Sequence, residues 1–453
     1  MKRVPFPHQI EAAEYLHKNQ SGFLCMKPRT GKTLSSILGA SKCKVSPLLV
    51  ICPNTVKAGW YDELAYFLGR EKQDRIQLVE GTKRQRLEQL GGDSLIFICN
   101  FEMLKAYDVL SLKPWKGIIV DESYRIANEA NKVTKYLLRK TPESCEFRVC
   151  LTGIPSPENP LNLVTQHLFA FKEFMGYTEY GDYIWDNWRY CKYERKYLPY
   201  DKKHPQAMLD YHLSKAFCLT LEDLGKGSKR LYRTLRVPAD LSQEIMLAEI
   251  LDPKFTYVKK GVLGQQKILK LDPLVKGIFV QLISCGIHPI QHEVLSTSKQ
   301  KFIAQYIQET LGKESVVVFS RFILDIETVA KELKEVGISC EIITGETPIG
   351  DRDILRKRFQ KGEFQVVVAQ VKTVKMGLDF SIADTIIYSS NSFSCDDRLQ
   401  SEERIINLNK SRPVEIIDVC TVYPNGGSFD ISVSDTLKAK ESISSQYVQR
   451  IKL

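Results

Sequence analysis

The sequence predicts an α/β protein of two lobes, each a parallel sheet flanked by helices, and three observations point to it. Short apolar runs rich in Val and Ile recur in two series, Leu48 to Cys52, Leu95 to Cys99, Gly117 to Val120 and Arg148 to Leu151, then Val316 to Phe319, Cys340 to Ile343, Val366 to Ala369, Thr385 to Tyr388 and Val414 to Val419. Runs that are apolar throughout, rather than alternating, suit strands buried on both faces, and helical patterns lie between them. Residues 170 to 300 break the alternation with aromatic, basic and helical stretches. The expected division is a first lobe over 1–240, with a helical extension over about 170–235, and a second over 241–453 ending in a C-terminal helix. At 453 residues the chain is long enough for two or three domains, because single cores seldom grow past about 250 to 300 residues. No low-complexity tract or short-period repeat interrupts it.

Composition narrows the function class. A formal net charge of +10 favours an anionic partner such as nucleic acid. Met1-Lys2-Arg3-Val4-Pro5 is followed by no apolar stretch, and no run approaches the ~18 apolar residues of a membrane span, so a secreted or membrane-embedded protein is not expected. The 12 cysteines follow no framework and often sit inside apolar runs, as in Val50-Ile51-Cys52 and Phe97-Ile98-Cys99, which fits core thiols in a reducing cytosol. Cys285 to His292 offers three potential metal ligands, but zinc sites usually pair cysteines and the chain has no C-x-x-C, so no zinc is expected there.

Taken in chain order, the first chemical signal is Lys27-Pro28-Arg29-Thr30-Gly31-Lys32-Thr33. A loop closing on Gly31-Lys32-Thr33 turns backbone N–H groups and the Lys32 ammonium toward a polyphosphate, and the Thr33 hydroxyl reaches a magnesium ion. The pattern G-x-x-x-x-G-K-[ST] is incomplete, because Met26 stands where its first glycine belongs, and a basic turn before a helix would read the same way. Asp121-Glu122, at the end of the apolar run Gly117 to Val120, supplies the other half of a nucleotide site. Asp121 would hold the magnesium through water, and Glu122 would accept a proton from the attacking water.

These segments, in this order, resemble the two-lobed ATP-dependent translocases of helicase superfamily two, particularly the Swi/Snf-like branch, over nearly the whole chain. Pro7-His8-Gln9 resembles the family's adenine-reading glutamine motif; Leu49-Val50-Ile51-Cys52-Pro53 with Trp60, Glu63 and Leu64 resembles motif Ia; and Asn100-Phe101-Glu102-Met103-Leu104 resembles motif Ib. Asp121 to Asn128 resembles motif II and Leu151-Thr152-Gly153-Ile154-Pro155 motif III. In the second lobe, Val318-Phe319-Ser320-Arg321-Phe322 resembles motif IV, Thr344-Gly345-Glu346 with Arg352 the turn and arginine that follow it, and Met376-Gly377-Leu378-Asp379-Phe380 with Ala383-Asp384 motif V. Gln400-Ser401-Glu402-Glu403-Arg404 resembles motif VI, and Gly427-Ser428-Phe429-Asp430 the closing segment.

The resemblance implies RecA-like lobes, with ATP and Mg2+ as cofactors. Gln9, Thr30, Gly31, Lys32, Thr33, Gly377 and Asp379 would contact nucleotide, and Thr33 and Asp121 the magnesium. Lys32, Asp121, Glu122, Gln400 and Arg404 would carry catalysis, with Arg404, or else a neighbour such as Arg412, as an arginine finger. DNA contacts would come from Pro53, Asn54, Trp60, Asn100, Ser320, Arg321, Thr344, Gly345, Lys372 and Thr373. Tyr124 replaces the family's histidine after the acidic pair, Asn407 stands where a second motif VI arginine is usual, and Val374 and Lys375 replace small residues of motif V.

Likeness to compact tailed-phage helicases of recombination and repair implies an ATP-dependent DNA helicase or translocase on branched or forked DNA. It also implies a monomer, in the host cytoplasm if the chain is phage-encoded. The alternatives are a duplex translocase that displaces proteins without unwinding, and a nucleic-acid-binding protein with a degraded ATPase. Phe174, Tyr177, Tyr180, Tyr183, Trp185, Trp188, Tyr190, Tyr193 and Tyr197 interleave with Arg189, Lys192, Arg195, Lys196, Lys202 and Lys203. Such rings either stack on bases at a fork, with Trp185 and Trp188 as the DNA contacts, or form the core of a helical extension with a basic solvated face. Leu221 to Arg236, with Lys226, Lys229, Arg230 and Arg233, reads as an interlobe linker touching DNA or as a basic surface.

Overall fold

The computed structural model describes residues 4–438 apart from 154, 156–158, 193–195, 221–222, 226–227, 253, 261–265, 271, 377, 407–409 and 411. The chain divides into two compact units, with the boundary after Gly225.

The sheet of the first unit is built from β1 (Gly22–Met26), β2 (Leu48–Cys52), β3 (Ile76–Leu78), β4 (Ile96–Asn100), β5 (Gly117–Asp121), β6 (Phe147–Thr152) and β9 (Phe217–Leu219), in the order β3-β4-β2-β5-β6-β1-β9. Every neighbouring pair is parallel. Side chains alternate between two cores: Phe23, Leu49, Ile51, Phe97, Ile118 and Val120 line one face, and Leu24, Val50, Ile98, Ile119 and Val149 the other. Two buried faces explain why these strands read as unbroken apolar runs. Between β6 and β9 comes an extension with the antiparallel hairpin β7 (Trp188–Cys191) and β8 (Lys196–Pro199), flanked by helices Tyr180–Asn187 and His204–Lys215.

In the second unit, β10 (Arg230–Pro238), β13 (Val316–Ser320), β14 (Cys340–Ile343), β15 (Val366–Gln370), β16 (Thr385–Tyr388) and β17 (Val414–Val422) form an all-parallel sheet ordered β10-β17-β16-β13-β15-β14. A separate hairpin joins β11 (Thr256–Lys260) to β12 (Gln266–Lys270). Each apolar run of the sequence forms a strand of its sheet.

The structure divides earlier than the boundary expected at 240. β10 pairs with β17 along its whole length, from Arg230 opposite Val414 to Pro238 opposite Val422, so the chain has joined the second sheet by residue 230. Its basic residues hid the strand, and two of them are engaged within this unit: Arg230 with Glu402 at 3.1 Å and Arg233 with Glu415 at 2.7 Å. An edge strand carrying charged side chains is an ordinary way to keep a sheet from pairing with other chains. Among the described residues, no helix is long and apolar enough to cross a membrane.

Candidate functional site

In open parallel α/β sheets ligands bind at the loops that leave the C-terminal ends of the strands, and most of the candidate residues lie there. In the first unit, β1 ends at Met26 and a short loop leads into helix α2 (Lys32–Lys42), while α1 (Pro7–Asn19) packs alongside. Met26 is fully buried as the last residue of β1, so the turn begins after it; this accounts for the missing glycine of the phosphate-loop pattern. Gly31 has φ +90°, and a Cβ there would lie 1.9 Å from Gln9 Nε2, so the position favours glycine on both counts. His8 Nε2 lies 2.8 Å from the Thr30 carbonyl, Gln9 Nε2 donates to the same oxygen at 3.4 Å, and buried Thr30 donates its hydroxyl to the Lys27 carbonyl at 2.6 Å. Lys32 Nζ donates to the Met26 carbonyl at 2.9 Å, folding its ammonium over the loop. The first turn of α2, carrying Lys32 and Thr33, presents backbone N–H groups and the positive end of the helix dipole.

Asp121 closes β5. Its Oδ2 accepts the Trp60 indole N–H at 2.8 Å, and its Oδ1 accepts the Glu122 backbone N–H at 2.9 Å. Enclosure by protein pushes the Asp121 carboxyl above the usual range, against the opposing pull of the indole donor and the Lys32 charge. Lys32 and Asp121 are therefore electrostatic neighbours. Glu122 sits at φ +51°, a conformation uncommon for a residue with a side chain, and starts the tight turn Ser123–Ile126. Ser123 donates to Gln166 Oε1 at 2.6 Å, and Gln166 donates to the Pro155 carbonyl at 2.8 Å, tying the acidic turn to the segment after β6. That segment lies against the phosphate loop, since a Cβ on Gly153 would meet Pro28 Cδ at 2.9 Å. A glycine cradle, a lysine and a carboxylate gathered by β1, β5 and β6 fit a polyphosphate with its magnesium ion.

The residues expected to touch DNA separate by burial. Asn54 is exposed and accepts from Asn100 Nδ2 at 3.2 Å, which joins the ends of β2 and β4; Pro53 beside them is buried. Trp60, on helix α3 (Lys57–Leu68), is 2% exposed with its N–H committed to Asp121. It is corrected from a DNA contact to a support of the acidic pair.

In the second unit, Arg321, Gly345 and Lys372 follow β13, β14 and β15, which are neighbours in the sheet. Gly345 and Lys372 are exposed, Arg321 partly so, and the Arg321 guanidinium lies 5.0 Å from the Phe393 ring. The hydroxyls of Ser320 and Thr373 are corrected as DNA contacts, because both residues are buried. Ser320 donates to Asp325 at 2.6 Å, and Thr373 to Gln370 at 3.4 Å. Thr344 is buried too, leaving the exposed backbone of Gly345 as the contact that turn offers. Trp185 is 83% exposed, but Trp188 is 5% exposed and packs with Phe174, Tyr183 and Met208, which corrects it to a core residue.

Gln400 lies on helix Cys395–Glu402 and donates to Asp396 at 2.8 Å; Arg404 follows, partly exposed, its carbonyl accepting from Phe380 N at 2.9 Å beside Asp379. Gly377 and Asn407 lie outside the described residues. Sequence reasoning missed what holds this region. Arg398 is buried, donates to Asp418 at 2.5 Å, to Asn391 at 2.6 Å and to Glu402 at 2.5 Å, and lies 3.6 Å from the Tyr388 ring centroid. The available signal was Asp418 itself, a carboxylate inside the apolar strand β17.

Comparison with known proteins also finds two matched segments, the first of which runs past β10. The family model of the SNF2-related domain matches residues 8–247, and that of the helicase conserved C-terminal domain matches residues 298–409. The chain is 23% identical over 442 residues to "Chromodomain-helicase-DNA-binding protein 1-like" of Danio rerio, covering 91% of this chain and 41% of that protein. It is 23% identical over 394 residues to "SWI/SNF-related matrix-associated actin-dependent regulator of chromatin subfamily A-like protein 1" of Xenopus tropicalis, covering 85% and 39%. The chain thus spans about two fifths of the length of these relatives. Among solved structures, the DNA-bound "DUF1998 helicase MrfA" aligns with a TM-score of 0.56 at 14% identity, over 97% of this chain and 48% of that one, a likeness of fold.

Proposed function

The chain belongs to the SNF2-related family, with two RecA-like lobes, and we propose that it is a DNA-stimulated ATPase that moves along DNA and remodels branched or forked substrates. The observation that carries this reading is the meeting of the Gly31-Lys32 cradle with Asp121 and Glu122 at the C-terminal ends of β1 and β5. Lys32 and the first N–H groups of α2 would bind the terminal phosphates, and Gln9 would contact the base. Thr33 and Asp121 would hold Mg2+, which when bound offsets phosphate charge. Glu122 would take a proton from the attacking water, Arg404 would neutralise charge gathering on the γ-phosphate, and Gln400 would donate a hydrogen bond to it. Asn54, Asn100, Arg321, Gly345 and Lys372 would grip DNA phosphates without reading sequence, which permits movement along any sequence.

A second reading, translocation on duplex without strand separation, is favoured by the burial of Phe174, Tyr183 and Trp188, which leaves fewer rings to meet opened bases. Strand displacement on a forked duplex, run beside displacement of a third strand from a plain triplex, tests the choice. The first reading predicts displacement at the fork. Triplex displacement with an intact fork would replace it with the second, and activity on neither would remove translocation altogether.

A further inference from the structure

Next to the phosphate loop, the first unit contains a second cluster of reactive side chains that nucleotide chemistry does not use. Cys25 on β1 and Cys218 on β9 are register partners in adjacent parallel strands, so their thiols leave the same face of the sheet. His212, on helix His204–Lys215, brings its ring to them, and the three potential donor atoms all lie within 4.8 Å of one another. Among the described residues, no other group of three such donors comes together.

The histidine is held for the purpose. His212 Nδ1 lies 2.7 Å from Nε2 of His167, which is fully buried on helix Asn162–Phe171. That pairing leaves His212 Nε2 buried, with the two thiols as its near neighbours. A metal-binding histidine is ordinarily fixed by a hydrogen bond at its other ring nitrogen, and here the His167 imidazole takes that place.

We propose that Cys25, Cys218 and His212 form a binding site for one zinc ion, with His167 as the residue that positions His212. Thiolate and imidazole donors select a thiophilic ion over magnesium. Binding would release both thiol protons to solvent, and two thiolates, one neutral imidazole and a divalent ion sum to zero charge. A neutral centre suits a site enclosed by apolar groups such as Phe23, whose ring centroid lies 4.7 Å from that of His212; a monovalent ion would leave a buried negative charge. The fourth tetrahedral position would fall to water or a small ligand. The consequence is mechanical: β9 has three residues and lies at the sheet edge, and the ion would fasten it to the strand that opens into the phosphate loop.

The full chain, reduced, stripped with a chelator and dialysed against zinc, is assayed for bound metal by elemental mass spectrometry. The proposal predicts about one zinc per chain, retained in Cys191→Ser, whose thiol lies on the hairpin, and reduced at least fivefold in Cys218→Ser. Cobalt should give a thiolate-to-metal charge-transfer band in the parent chain and none in Cys218→Ser. As a readout independent of any variant's folding, zinc should raise the melting temperature of the stripped parent chain. A folded parent chain that binds no zinc, or undiminished zinc in Cys218→Ser, would overturn the site.

Discussion

Trp60 and Asp121 are 61 residues apart, and their 2.8 Å hydrogen bond gives the tryptophan a task that its place in a motif did not suggest. Replacing Trp60 with phenylalanine keeps most of the packed volume and removes the donor. A hydrogen bond to a charged group contributes about 1.5–3 kcal/mol, so Trp60→Phe should slow hydrolysis by roughly tenfold to a hundredfold. DNA affinity should hold. Steady-state kinetics with filter binding checks this, and weakened DNA binding at normal turnover would restore Trp60 to the DNA surface. Local spacing was enough to find Gly31, Lys32, Asp121 and Glu122, because adjacent residues build each half of that site. The Trp60 and Gln166 contacts were not legible, since only the fold brings those partners together. A motif also names a residue without saying which way its side chain faces, which is why Ser320 and Thr373 read as contacts although buried.

At the scale of elements, the aromatic extension resolves into two roles. Trp188→Ala should destabilise the chain by roughly 3–5 kcal/mol, as loss of a core aromatic does, whereas Trp185→Ala should leave the melting temperature unchanged. Equal melting shifts would contradict the burial that separates them. Helix Cys395–Glu402, which carries Gln400, is fixed to β16 and β17 through Arg398, giving a pH-dependent prediction. Burial alone would raise the Asp418 carboxyl, but the Arg398 charge and donors from Arg398, Asn391 and Ser434 outweigh it and hold the group below its ordinary value. A lowered folded pKa contributes stability above the unfolded value, near ~3.9, that is lost as pH falls through the folded value. Asp418→Asn should therefore cost about 3–5 kcal/mol at neutral pH and flatten the acid side of the stability curve. Denaturant melts at several pH values read both, and an unchanged acid limb would exclude the pair as its source. Sequence periodicity found most of the doubly buried strands but not β1, whose Gly22-Phe23-Leu24-Cys25-Met26 lacks the Val and Ile of the others, nor the three-residue strands β3 and β9, which are too short for a period, nor β10, whose arginines obscured it.

Across the whole molecule, a chain with net charge +10, gripping phosphates as proposed, should bind DNA with little sequence preference and with affinity that falls steeply in salt. Lys372 is exposed beside Gly345 and Arg321 at the ends of neighbouring strands, so Lys372→Ala should lower the slope of log affinity against log salt by about one. A slope equal to that of the parent chain would remove Lys372 from the contact surface. The order of segments along the chain made both lobes legible, whereas the choice between opening strands and sliding along them rests on side chains whose exposure only the fold determines.

DNA-stimulated phosphate release, measured together with nucleotide binding in Lys32→Ala and Glu122→Gln, tests the central claim most directly. The account predicts that DNA accelerates hydrolysis by the parent chain and that both substitutions abolish it. Lys32→Ala should also lose nucleotide affinity, because the ammonium contacts phosphate, while Glu122→Gln, altered at the proton acceptor, should still bind ATP. Near-normal turnover in Lys32→Ala, or equal loss of binding in both variants, would contradict it.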